Sequence, residues 1–199
     1  MNSDRLKALT DGVIAVIITI MVLEMKPPSG HDSAALAALL PQFLSYVLSF
    51  VYVAIYWNNH HHFFTLAPKV GGGGVMWANF HLLFWLSLIP LATAWMGEHG
   101  FQPWPMAVYG AVLLACSLAW MVMQAAIIRA QGAHSALRQA IGADWKGKLS
   151  PPLYLLGIGL SFAIPWAAAA AYALVALWWL VPDRRVRHVA ARLEDDQAG

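Results

Sequence analysis

Apolar residues run along this chain in long blocks, broken by proline, glycine or charge. Taking the breaks as ends, the pattern predicts helices near 4–25, 36–62, 73–97, 105–128, 149–164 and 166–182. The last two are the least separated. From Leu153 to Val181 there is no charge, and only Pro165 in "SFAIPWAAAA" offers a turn, so one long tilted helix is the alternative. The first block poses a question of its own. In "LTDGVIAVIITIMVLEM" the run from Gly12 to Leu23 is roughly 18 Å long as a helix, short of a hydrocarbon core of roughly 30 Å. Extended from Arg5 to Lys26 it reaches roughly 32 Å, with basic ends at the interfaces, and Asp11 then lies roughly 9 Å inside Arg5. An ionisable group at that depth is costly and faces protein or water rather than lipid, so Asp11 reads as a buried anchor.

At about 100° per residue, Asp11, Ala15, Ile18 and Val22 share one face of this helix, and Val16, Ile20 and Leu23 share another roughly 140° away, flanked by Gly12 and Thr19. The second face is an aliphatic stripe that excludes Asp11. Such a stripe either meets lipid or another helix, or, repeated around an axis, forms a hydrophobic constriction that gates by dewetting. Periodicity leaves both readings open.

Composition turns these helices into a membrane protein. Hydrophobic residues make up 60% and charged residues 11% of the chain, with a mean hydropathy of +0.59. A soluble fold of 199 residues has no interior large enough for so much apolar surface. The single cysteine, Cys116, excludes an internal disulfide and a cysteine-built metal site, and reads as packing. Arg5 and Lys7 ahead of an apolar run imitate a signal peptide, but Glu24, Lys26 and the prolines stand where a cleavage site belongs, so the first helix is expected to be retained.

Charge distribution then sets orientation. With six spans and both termini inside, the cytoplasmic side holds Arg5, Lys7, Lys69, Arg129, Arg138, Lys146, Lys148, Arg184, Arg185, Arg187 and Arg192, and the opposite side keeps only Lys26. Five spans would send "PDRRVRH" outside. The expectation is therefore one six-helix domain over 1–185 and a cytoplasmic tail over 186–199. "VGGGGVM" at 70–76 lacks the Lys-Ser/Thr of a phosphate loop and reads as a flexible connector.

The run His60, His61, His62 suggests zinc, but successive helical residues point about 100° apart and no companion histidine sits at helical spacing, so no metal site is expected. Hydrogen bonding suits these residues better. Trp57 and His61 share a face, His60 lies beside them, and Asn79 and His81 enter from the third helix, forming a polar cluster able to satisfy Asp11. Glu24 falls at the outer end of the first helix, either as a solvated interfacial carboxylate or, repeated around an axis, as an anionic mouth. The tryptophans, Trp104, Trp178 and Trp179 among them, fit interfacial belts.

"RLKALTDGVIAVIITIMVLEM" resembles the opening of the transmembrane protein 175 family, the endosomal and lysosomal potassium channels of animals and their shorter prokaryotic relatives. The family's Arg, three variable residues and Phe-Ser-Asp correspond to Arg5, Leu9, Thr10 and Asp11, with Leu and Thr in place of Phe and Ser. "YWNNHHHFF" and "WANFHLLFWLSLIPLATAWMGEHG" continue the likeness. The resemblance implies an all-α integral membrane protein of one six-helix repeat, assembled as a homotetramer in a prokaryotic cell membrane. It implies first helices around a pore narrowed by Val16, Ile20 and Leu23, with Thr19 as the adjacent position for selectivity. It also supports a structural hydrogen-bond network near Arg5, Thr10 and Asp11 that takes in Trp57, His60, His61 and Asn79. An ordinary Thr-Val-Gly-Tyr-Gly filter is missing from the chain, in keeping with this.

The leading expectation is a potassium-permeable channel working in a lipid bilayer, without cofactor, metal or nucleic-acid partner. The alternative is a secondary transporter or proton pathway using Asp11 and the histidine cluster; against it stands the lack of charge within the last three helices. A membrane enzyme ranks last, because Asp11 has no catalytic companion at matching depth.

Overall fold

A computed structural model describes residues 3–68 and 72–181, with His134 described by its backbone alone. The expected tail over 186–199, Lys69, Arg184, Arg185, Arg187, Arg192 and part of the glycine connector lie outside the described residues.

The described chain is helical, without strands. Helix α1 runs Ser3–Leu23, the short α2 Ser33–Ala38, α3 Leu40–Thr65, α4 Gly73–Leu86 and α5 Ile89–Glu98. Helix α6 runs Pro103–Gln131, α7 Ala136–Ile141 after a single 3-10 turn, α8 Trp145–Ala163 and α9 Pro165–Leu180. Local chemistry sets several ends. Asp32 caps α2 by accepting the amide of Ala35 at 2.8 Å, and proline stands in the first turn of α3, α5, α6 and α9, where its missing N–H costs no hydrogen bond.

One expected span is revised, and the choice between one and two helices in the last apolar stretch falls as expected on two. The third is interrupted at Ser87 and Leu88, so α4 and α5 are separate segments around Pro90, whose ring cannot continue the ladder of the preceding turn. The last apolar stretch is two helices rather than one. Ile164 leaves the helical region (φ −142°, ψ 82°) ahead of Pro165, and the indole N–H of Trp179 donates to Ser150 Oγ at 2.9 Å, bringing the end of α9 back to the start of α8.

Contacts between helix ends define two ends of the bundle. At one, Ser3 Oγ donates to the carbonyl of Pro68, Gln131 Nε2 to that of Leu66 at 2.8 Å, and Gln124 Nε2 to Asp144 at 2.8 Å. At the other, Lys26 pairs with Glu98 at 2.6 Å, and the rings of Phe101 and Trp166 lie 5.0 Å apart. Among the described residues, four segments are long and apolar enough to cross a membrane: Ser3–Leu23, Leu40–Thr65, Gly73–Glu98 and Pro103–Gln131. Helix α9 is apolar but shorter.

Helix α6 lies at the centre, packed against α4, α5, α8 and α9. Close approach is obtained with glycine. Tyr172 of α9 fits between Gly110 of α6 and Gly157 of α8, and Gly97 of α5 lies so near α3 that a Cβ there would come within 2.8 Å of Gln42 Cα. Polar atoms in this interior are paired: Thr93 Oγ1 donates to Ser49 Oγ at 2.6 Å, which lies 3.0 Å from the Tyr109 hydroxyl, and Tyr52 donates to the carbonyl of Tyr172 at 2.6 Å. Cys116 is buried and unpaired, a packing residue.

Candidate pore helix and its tether

Helix α1 buries Ser3, Leu6, Thr10, Ile14, Ile17 and Met21, a spacing of three and four that forms one continuous face against α3, α4 and α5. The stripe of Val16, Ile20 and Leu23 points elsewhere and is 55%, 39% and 79% exposed, so the rest of the described chain leaves it largely open. Gly12 and Thr19 beside it are exposed as well, and a Cβ added to Gly12 would meet nothing within 4 Å. The hydroxyl of Thr19, itself exposed, donates to the carbonyl of Val16 at 2.9 Å. An open groove follows this side of the helix, between Leu9, Val16 and Ile20 on α1 and Ser87, Pro90 and Leu91 at the α4–α5 break, with Glu24 at its end.

The polar residues expected in one cluster fall into two separate groups. Inside the bundle, Asn79 on α4 donates from Nδ2 to Thr10 Oγ1 at 3.0 Å and accepts at Oδ1 from His60 Nε2 of α3 at 2.9 Å, and all three residues are buried. Outside it, Asp11 is exposed and its carboxylate accepts the indole N–H of Trp57 at 2.8 Å, with the His61 ring tilted 6.4 Å from that of Trp57. This corrects Asp11 as a buried anchor. Thr10 is the buried residue, because neighbours on a helix point about 100° apart and only one of them fits the packed face. Helix α1 therefore has three surfaces, the packed face lying between that of Asp11 and the stripe.

Two further members of the expected cluster are placed elsewhere. Arg5 is exposed and its side chain makes no hydrogen bond or ion pair among the described residues. His81 accepts the indole N–H of Trp85 at 3.0 Å on the outer side of α4 and does not reach Asp11. No group of three metal-ligating side chains occurs among the described residues. At the opposite end, Glu24 is exposed and its neighbour Lys26 takes the hydrogen bond to Glu98, which raises the Lys26 ammonium above its ordinary pKa.

The residues that complete the groove, Ser87, Pro90 and Leu91, were not among those singled out from the sequence. Their signal is Pro90, placed mid-span in "WLSLIPLAT", where its missing N–H leaves a gap in the helical hydrogen-bond ladder. The hydroxyl of Ser3, which ties the start of α1 to Pro68, carries no comparable signal.

Comparison with known proteins places this helix in context. A family model described as "Endosomal/lysosomal potassium channel TMEM175" matches residues 5–90, the part that holds α1 from Arg5 on, both polar groups and the groove as far as Pro90. A potassium channel of Chryseobacterium sp. (strain P1-3) is 50% identical over 186 residues, 94% of this chain and 96% of that protein. Human endosomal/lysosomal proton channel TMEM175 is 33% identical over 81 residues, 35% of this chain and 16% of its own length. Among solved structures, the lysosomal potassium-selective channel TMEM175 homologue from Chamaesiphon minutus superposes with a TM-score of 0.79 at 26% identity, over 91% of this chain and 97% of that one.

Proposed function

The chain belongs to the TMEM175 family, and on that premise we propose that it is a potassium-permeable channel whose pore is lined by α1 and narrowed by Val16, Ile20 and Leu23. Four chains stand around one axis in a prokaryotic cell membrane. Each contributes six spans, α8 and α9 being the short pair, with both termini on the cytoplasmic side as the basic residues require. The observation that carries this reading is the stripe: three large aliphatic side chains uncovered on a helix whose other side is fixed by packing and by the Thr10–Asn79–His60 group.

The mechanism follows from that asymmetry. A ring of aliphatic side chains offers an ion nothing to replace its hydration shell, so a narrow constriction stays dry and closed, and widening it lets water and ions through. The exposed hydroxyl of Thr19 is the nearest polar group from which selectivity arises. Glu24 at the groove's end concentrates cations at the outer mouth. The buried polar group holds the helix, while Asp11 and Trp57 fix its rotation from the side; neither touches the ion.

The test is flux through the purified protein in liposomes under potassium, sodium and proton gradients, with native mass spectrometry to count chains. Expected are a tetramer, channel-like currents reversing toward the potassium potential, and a raised or deregulated conductance in Ile20→Asn and Leu23→Asn. Saturable, strictly coupled flux would overturn the channel, and unchanged currents in both variants would move the pore. The proton arm addresses the second reading, a proton pathway, which the name of the animal relatives favours. Against it, His60 is bonded to Asn79 and Asp11 to Trp57, so each has a structural partner.

A further inference from the structure

Helix α1 is seated between two unlike flanks of its own chain. On one side α3 presents Phe43, Val47, Phe50, Trp57 and His61, all exposed and within about 80° of one another around the helix. On the other, α4 and α5 present Trp77, Phe80, Phe84, Ser87 and Leu91, exposed and spaced by three and four. Rows with this spacing are the seams along which helices pack. Both stay largely open within the described chain.

Bonds between helices set the height of each row. Trp57 lies on Asp11, and Gln42 Nε2 donates to the carbonyl of Glu24 at 3.4 Å, so α3 runs antiparallel beside α1. Asn79 lies on Thr10 and Glu98 on Lys26, so α4 and α5 run parallel to it. Phe50 and Ser87 therefore share one height near mid-span, and Val47 and Leu91 share the next toward the outer end.

Lipid suits neither flank. Asp11 is exposed within a membrane span, and only one of its carboxylate oxygens accepts a hydrogen bond among the described residues, that of Trp57. On the opposite flank His81 stands two residues beyond Asn79, the partner of Thr10, and so at the height of Asp11. It accepts the indole N–H of Trp85 at Nε2, which places its proton on Nδ1, and Nδ1 meets no acceptor among the described residues. Such groups at membrane depth are satisfied by protein or water, not by acyl chains. One flank thus holds a spare acceptor and the other a spare donor, at one height.

We propose that these two flanks are the two halves of one interface between copies of this chain: the α3 row of each copy docks on the α4–α5 row of the next. The groove of about 610 Å3 beside α1, walled by Val16, Ile20, Ser87 and Leu91, receives Phe50 and Val47 of that neighbour. Because the flanks differ, the contact is heterologous and closes into a ring with α1 innermost. The pairing rests on the ring of chains proposed above, and adds which surface meets which.

Cysteine cross-linking in native membranes tests it, with the buried Cys116 as a silent background. Phe50→Cys combined with Ser87→Cys, and Val47→Cys combined with Leu91→Cys, are oxidised with copper phenanthroline and run on a non-reducing gel. Each pair should move most of the chain from the monomer band into a ladder of dimer, trimer and tetramer. Each single variant should stay monomeric, since a heterologous contact never brings a position against itself, and so should Phe50→Cys with Leu156→Cys on the open face of α8. No ladder from either pair, dimers from a single variant, or a ladder from the α8 pair overturns the docking. Native mass spectrometry and liposome flux on the same variants before oxidation keep the two readings apart: conducting tetramers without a ladder sink the docking alone, whereas monomers without flux sink the channel.

Discussion

Helices α1 and α6 are both long, strongly apolar spans, yet the chain buries 28% of one and 44% of the other. Hydropathy does not distinguish them. Helix α6 meets neighbours around most of its circumference, with Tyr109, Leu113, Cys116 and Met123 all fully enclosed, whereas α1 meets neighbours on one face and leaves two open. An apolar helix that its own chain covers so sparingly either borders lipid or awaits other chains. What separates those outcomes is the polar fastening on the covered face. A helix that only borders lipid has no need of a fixed rotation, and α1 has its rotation fixed by Thr10 inside and Asp11 outside.

The comparison is broken most directly with glycine. At Gly110 on α6 an added Cβ would lie 2.6 Å from Tyr172 Cζ and 2.9 Å from Ile158 Cγ1, so Gly110→Ala forces a buried tyrosine to move and should cost about 1–3 kcal/mol. At Gly12 on α1 it would meet nothing within the same chain, and Gly12→Ala should leave the subunit fold intact or slightly favoured by helix propensity. Protease-resistant protein recovered after extraction distinguishes them: loss in the first and retention in the second is expected, and equal loss removes the distinction between the two helices.

Asn79→Leu comes next. It removes one side chain and strands two, the Thr10 hydroxyl and the His60 N–H, both buried, at a cost of about 1–3 kcal/mol for each group left without a partner. Thermal unfolding in detergent should show the drop, and Thr10→Val with Asn79→Leu should cost less than the sum of the separate changes. A fully additive pair would mean that Asn79 does not act through Thr10.

The sequence made the helices legible because their ends carry proline, glycine or charge, and it made the stripe legible because residues four and three apart share a face. Its limit lay in choosing which face the chain buries. Thr10 and Asp11 are adjacent, both polar and both plausible anchors; chain neighbours decide between them, and those come from α3 and α4. The histidine run shows the same limit. Three identical side chains in succession end in three environments, His60 inside against Asn79, His61 outside near Trp57, and His62 on the wall of a cavity between α3, α6 and α9. The α4–α5 break was visible as Pro90 but passed over, since proline within a membrane helix does not by itself tell a kink from an interruption.

Asp11→Asn is a gentler probe of the same helix. The amide oxygen still accepts from Trp57, so the bond persists and only its charge assistance goes, a change of about 1 kcal/mol or less. Asp11→Ala removes the bond itself and should lower the yield of assembled protein more than that of folded subunits, read as the ratio of tetramer to monomer by native mass spectrometry. An effect confined to subunit folding would place Asp11 with Thr10 as an internal fastening, against its exposure.

The smallest expected effect belongs to the far end of α1, where Lys26 and Glu98 form an exposed pair. Their mutual hydrogen bond raises the Lys26 pKa above its ordinary value, so the ammonium stays charged at neutral pH and the pair persists there. Water and salt screen such a contact, and ordering two mobile side chains offsets what attraction is left. Lys26→Gln should therefore leave the thermal midpoint unchanged within error, at low salt and at high salt alike. A large shift would show that α1 is held at this end as firmly as at Thr10, leaving the proposed pore helix no free end at which to widen the proposed constriction.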